Sequence, residues 1–123
     1  MSEEEKELPR TYRRHILPLG KVVGGIQPSQ EGFLRWTPEQ VFSVDSLVIS
    51  SFPGGVQVKE ISIGDKPVQV DSREDHTDTI QILSFAPAEV SPDKPAQITL
   101  RNDSDKIMNA SGMLRGVAQV VHE

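Results

Sequence analysis

Ile98 and Leu100 alternate with Gln97, Thr99 and Arg101, the pattern of a strand that buries one face. Val68 and Val70 alternate in the same way with Gln69 and Asp71. Three longer apolar runs change phase midway. Phe42 and Val44 share a face with Leu47 and Ile49 only if a residue is skipped near Asp45-Ser46; Val56 and Val58 shift to Ile61 and Ile63 across Lys59-Glu60; Ile80 and Ile82 shift to Leu83 and Phe85. A one-residue slip of this kind is produced by a β-bulge, or by a strand that passes from one sheet to another. Turn residues at Gly24-Gly25, Pro28-Ser29, Pro53-Gly54-Gly55, Gly64-Asp65, Pro92-Asp93 and Asn102-Asp103 punctuate the chain at strand-length intervals.

The pattern predicts about eight strands, near 16–23, 31–37, 42–51, 56–63, 67–71, 79–85, 96–102 and 110–121. Thr37-Pro38-Glu39-Gln40 has the cap and proline of a helix start, but alternation resumes at Phe42, which leaves room for one turn at most. The last strand is apolar on both faces: Leu114, Gly116, Ala118 and Val120 on one, Met113, Val117 and Val121 on the other. Such a strand is either central and covered on both sides or part of a subunit contact. Trp36 falls in phase with Leu34, as a core residue would, with Phe33 and Arg35 on the opposite face. The expected fold is all-β, a single sandwich of jelly-roll or immunoglobulin-like type.

The first fifteen residues stand apart. Glu3, Glu4, Glu5 and Glu7 precede Arg10, Arg13 and Arg14, and Pro9 stops any helix early. We therefore divide the chain into a short charged arm, 1–15, and a sandwich domain, 16–123. The arm is electrically neutral, so the net charge of −5 sits on the domain. That balance argues against a nucleic-acid partner held by phosphate contacts. The acidic start does not resemble a signal peptide, and no apolar run approaches the ~20 residues of a membrane helix. Synthesis in the cytoplasm without a membrane partner is the expectation, with incorporation into a virion or other particle left open.

Candidate chemistry is sparse. The absence of cysteine removes disulfides, thiolate metal sites and thiol catalysis. His15, His76 and His122 lie far apart, without metal-ligand spacing, and no nucleophile elbow or phosphate-binding loop occurs. Asp71, Glu74, Asp75 and Asp78 form an acidic run whose oxygens suit a loop-bound cation. It lacks the glycine and terminal glutamate of an EF-hand, and solvated carboxylates are the simpler reading. Asn102, Asp103 and Asp105 form a second acidic turn. No catalytic residue, metal or cofactor is expected.

Two stretches resemble known families. Val90-Ser91-Pro92-Asp93-Lys94-Pro95 followed by Ala96 to Ser104 resembles a strand of immunoglobulin-like and cupredoxin-like sandwiches; without cysteine only the fold could carry over. Phe42 to Ser50, then Ile61 to Gly64, then Ser111 to Ala118, resembles in that order small single-sandwich proteins of phages and virus-like particles, of the minor capsid, penton or decoration type. No functional residue carries over from that likeness. The missing catalytic constellation, the two-faced last strand and the charge-segregated arm lead to the expectation of a non-enzymatic structural subunit, most of all of a capsid or similar shell, whose partners are other protein subunits in a homo-oligomer or shell. Its assembly contacts would be Arg10, Arg13 and Arg14 of the arm together with Met113, Val117 and Val121 of the last strand. The alternatives are a sandwich that binds carbohydrate or protein through the loops at one end and a small enzyme built on the acidic run.

Overall fold

The computed structural model describes residues 14–77 and 79–118. Its strands are β1 (Arg14–Lys21), β2 (Glu31–Trp36), β3 (Phe42–Phe52), β4 (Gln57–Ile63), β5 (Lys66–Pro67), β6 (Val70–Thr77), β7 (Ile80–Val90), β8 (Ala96–Arg101) and β9 (Asn109–Ala118). No helix occurs among the described residues, and Thr37 to Gln40 forms an irregular bend. Two antiparallel sheets pack face to face, one ordered β1-β9-β3-β7-β6 and the other β2-β8-β4-β5.

The pairings are nested. β4 pairs with β5, β3 with β7, β2 with β8 and β1 with β9, as in one long hairpin whose successive pairs alternate between the sheets. Rolling that hairpin places β9 beside β3 and β8 beside β4. This is the winding of a jelly roll. An immunoglobulin sandwich keeps its first two strands in one sheet, whereas β1 and β2 lie in different sheets. β6 is an addition on the open side of β7.

The segment expected as one strand at 67–71 is divided between the sheets. The Val68 amide donates to the Ile61 carbonyl of β4, while Val70 pairs with Phe85 of β7. The chain therefore crosses the sandwich between these valines, and the acidic run that follows is strand β6 rather than a loop. β1 likewise begins at Arg14, inside the segment assigned to the arm; residues 1–13 lie outside the described residues.

Two of the three phase changes are bulges. The register slips between Val44 and Ser46 against both neighbours of β3, and between Val58 and Glu60 in β4. The third is not. Gln81, Leu83 and Phe85 are all buried on one face, with Ile80 and Ile82 on the other, so β7 keeps its phase from Ile80 to Phe85 and a polar residue takes a core position. The Gln81 amide donates to the Val56 carbonyl, and its oxygen accepts from Arg73 Nη2 at 2.7 Å. Buried polar groups persist when paired in this way.

Leu17, Val44, Leu47, Ile49, Leu83 and Leu114 from one sheet meet Leu34, Ile61, Ile98 and Leu100 from the other in a single core. Trp36 packs against its edge, with its ring 5.9 Å from that of Phe42, and Phe33 and Arg35 point outward. The β4–β5 hairpin turns through Gly64 and Asp65, both at positive φ, as the favoured two-residue turn requires. Gly116 faces Val44 across β9 and β3. A methyl group there would run into the Ser43 carbonyl oxygen and the Val44 Cα.

At one end, the loop after β1 is fastened to the loop after β8 by Asn102, which is wholly buried. Its amide nitrogen donates to the carbonyls of Ile26 (2.8 Å) and Lys106 (2.6 Å), and its oxygen accepts from the Ser104 amide and hydroxyl. Its backbone completes the tie, with the Asn102 amide donating to Gln30 O and its carbonyl accepting from Ser29 N. The turn read from sequence as acidic is thus organised by its one amide side chain.

In urea unfolding, Ile98→Ala and Leu100→Ala should each cost about 2–5 kcal/mol, and Thr99→Ala less than about 1 kcal/mol. Gly116→Ala should cost at least about 2 kcal/mol, because its neighbours are backbone and cannot rotate away. Asn102→Ala should cost about 2–4 kcal/mol by removing the side-chain bonds that tie the buried Ile26 carbonyl to Lys106 and Ser104. An Asn102→Ala protein as stable as the parent would show that the two loops do not depend on this tie.

Candidate subunit interface

Alternation in the five-stranded sheet sends Leu17, Val44, Leu114 and Leu83 into the core, and their neighbours to the opposite, outer face. The register aligns these outer residues in rows that cross the sheet. Pro18 pairs with Met113, Met113 with Val48, Val48 with Ile82 and Ile82 with Glu74. An uninterrupted apolar row, Pro18-Met113-Val48-Ile82, therefore runs from β1 through β9 and β3 to β7. On one side lies the row Ile16-Arg115-Ser46-Ser84-Ser72, and on the other Lys21-Ser111-Ser50-Ile80. Ile16 is 63% exposed. The outer face of the four-stranded sheet differs: Arg35, Gln97 and Ser62 align there, as do Phe33, Thr99 and Glu60, so Phe33 is an isolated apolar group among polar ones.

The bulge in β3 decides the charge pattern at one end of this face. Asp45, the extra residue, receives both terminal nitrogens of Arg14 at 2.9 Å. Arg115 Nε donates to the buried Ser46 hydroxyl at 2.9 Å. The Arg14 guanidinium, aided by Arg115, holds the Asp45 carboxyl below its usual range, and the pairing raises Arg14. The tie joins β1 to β3 across the intervening β9.

At the other end of the face, next to the loops, lies a depression of about 400 Å³ bordered by Lys21, Ser50, Phe52, Ile80, Asn109 and Ser111. Phe52 is 70% exposed. The volume lies within the ~300–1,000 Å³ range of small-ligand pockets.

Of the contact residues expected from sequence, the fold brings Arg14, Met113 and Val117 to this one face, with Arg14 directly opposite Val117. Arg14 does not extend as a free cation, because Asp45 engages it. Arg10, Arg13 and Val121 lie outside the described residues. The cation candidates are not gathered: Asp71 sits at a slip in the register of β6, while Glu74 and Asp75 alternate across it, and Asp78 lies outside the described residues. Among the described residues no group of three or more His, Asp or Glu side chains converges on a point. His15 is half-buried, with its ring edge-on to Phe42 at 5.8 Å.

No family model and no curated protein sequence matches the chain. The site rests on its own geometry.

Reading the sequence missed Pro18, Val48 and Ile82, although a signal was present. Leu47-Val48-Ile49 is continuous apolar sequence, and Ile80 and Ile82 stand out of phase with Leu83 and Phe85. Each pattern reflects a strand with apolar side chains on both faces.

The tie at Asp45 makes a pH prediction. A carboxyl lowered in the folded state adds stability above its unfolded value of about 3.9, and the gain is lost as pH falls through the folded value. Asp45→Asn should therefore flatten the acid side of the stability profile below about pH 4 and change stability by at most about 1 kcal/mol at neutral pH, since both groups are partly exposed. Urea titrations at stepped pH read this directly; an acid slope equal to that of the parent would show that Asp45 is not held low.

Proposed function

We propose that the protein is a non-enzymatic structural subunit that joins a larger protein assembly, of the capsid or virion-associated kind, through the outer face of its five-stranded sheet. The observation that carries this reading is the unbroken apolar row Pro18-Met113-Val48-Ile82 on a face that no element among the described residues covers. Contiguous apolar surface bordered by polar residues is characteristic of protein contacts. The fold's polar ties point the same way: Arg14 with Asp45, Arg115 with Ser46, and Asn102 with Ser104 and Lys106 engage one another structurally. The jelly-roll winding recurs in capsid subunits, which is support by analogy of fold alone.

The strand edges favour a face contact over strand addition. β1 carries Pro18 and a register slip beside it. β6 carries two slips and the charges of Asp71, Arg73, Glu74 and Asp75. β5 is two residues long. Such features blunt an edge against pairing with another chain.

A second reading is favoured by the depression beside Phe52. An exposed aromatic ring, the Lys21 ammonium and several hydroxyls around about 400 Å³ would suit a small carbohydrate or a peptide segment. It concerns the rim of the same face.

Size-exclusion chromatography with light scattering over a range of concentrations tests the main reading. The protein should run above monomer mass, and Val48→Lys should return it to monomer with its melting temperature nearly unchanged, because Val48 points away from the core. A monomer at every concentration, or undiminished assembly of Val48→Lys, would overturn the assignment of this face.

A further inference from the structure

Resting on the reading of this face as an assembly surface, we infer that its partner is a second copy of the chain, stacked sheet to sheet about a two-fold axis that runs parallel to β3 through Val48. The argument begins with shape. Serine flanks the apolar row on both sides, at Ser84 and Ser72 and at Ser111 and Ser50, while Ser46 is buried and bound by Arg115. These short side chains allow a second sheet to settle to the ~10 Å spacing of stacked sheets, with the apolar row as the ridge of contact. Five strands about 4.8 Å apart, each contributing roughly eight residues, give a footprint of ~600 Å². Side-chain relief brings the accessible surface close to the ~800 Å² per partner of a standard stable interface.

Charge selects the axis. Along β1 the charged residues are Arg14, which is paired with Asp45, and the exposed Lys21. At the opposite edge, β6 places Glu74 on the outer face in line with Ile82, while Arg73 and Asp75 stand on the other face in line with Leu83 and Gln81 and engage each other. A two-fold axis parallel to β3 exchanges the two sides of the sheet, so that β1 of each copy lies over β6 of the other and β9 over β7. Lys21 of each copy then lies one row from Glu74 of the other, a contact made twice in one dimer. Met113 faces Ile82 of the second copy, and Val48 meets its own equivalent on the axis. The alternative axis, perpendicular to the strands, lays β1 on β1 and β6 on β6. It would bring Glu74 against its own equivalent. Juxtaposed like charges disfavour that arrangement.

The same stacking places the depression beside Phe52 at the margin of the dimer, where each Lys21 reaches toward β6 of the second copy. Assembly and any ligand in the depression would compete for Lys21.

The chain has no cysteine, so single cysteines report on geometry without background. Met113→Cys and Ile82→Cys proteins, each otherwise full-length, are treated with a bismaleimide spanning about 10 Å, the spacing of stacked sheets, first separately and then as an equal mixture. Covalent dimer from the mixture, with little from either variant alone, is the expected result. Strong linking of Met113→Cys to itself would overturn the parallel axis. Assembly that Val48→Lys abolishes, with no linking in any of these samples, would overturn the two-fold stacking while leaving the face as a contact between copies in another arrangement. A wild-type protein monomeric at all concentrations would remove the underlying reading and this inference together. As an independent readout, Lys21→Glu should weaken dimerisation about tenfold, with the loss growing at low salt. Combining it with Glu74→Lys should restore most of the affinity. Equal weakening by the single and double variants would overturn the edge-to-edge charge pairing.

Discussion

β3 is the middle strand of the five-stranded sheet, and it must bury two apolar pairs that a regular strand would place on opposite faces. Phe42 and Val44 lead into the core from one end, Leu47 and Ile49 from the other, and the count between them is off by one. The extra residue at Asp45 resolves the conflict by a local bend. Much else follows from it. The bend carries the Val44 backbone so close to β9 that only glycine fits at position 116. It lifts Asp45 out of the ladder, where Arg14 can reach it from the far side of β9. It also leaves Ser46 and Val48 on the outer face, in line with Arg115 and Met113.

The fold class was legible because burial in a sheet imprints a period of two on the sequence. Where that period slipped at Asp45-Ser46 and Lys59-Glu60, the ladder slips at the same places. The reading failed at Gln81 for an instructive reason. Alternation identifies core positions by their apolarity, and a buried amide that satisfies itself against Val56 and Arg73 looks like a surface residue. Pairing was beyond reach, since a pattern of faces says nothing about neighbours, and the choice between jelly-roll and immunoglobulin winding is a choice of neighbours. The same limit governed the outer face. Met113 and Val117 could be seen as apolar on a second side, but their alignment with Val48 and Ile82 arises only from register. The tie between Arg14 and Asp45 joins residues 31 apart in sequence, and no local signal marks it.

Each sheet has one outer face, and the two have been treated differently. Apolar side chains occupy the outer face of the larger sheet in a connected row, whereas on the smaller sheet Phe33 stands alone between charged and amide groups. Isolated apolar residues are normal on protein surfaces, and connected ones are not. The contrast within a single small domain, where both sheets share one core, argues that the row reflects a demand from outside the domain rather than the needs of its own folding.

The nesting of the pairs also imposes an order in time. The β4–β5 turn closes a loop of two residues, Gly64 and Asp65. The β3–β7, β2–β8 and β1–β9 pairs enclose successively longer stretches of chain. Loop-closure entropy rises with each step outward, and contacts between distant segments slow folding. The chain is thus built to zip from its middle toward its ends, and β1 is the element for which closure costs most. The outer face needs β1 and β9 side by side to carry Pro18 next to Met113, so its apolar row is the last to be completed. A chain still in the course of folding does not yet present that row.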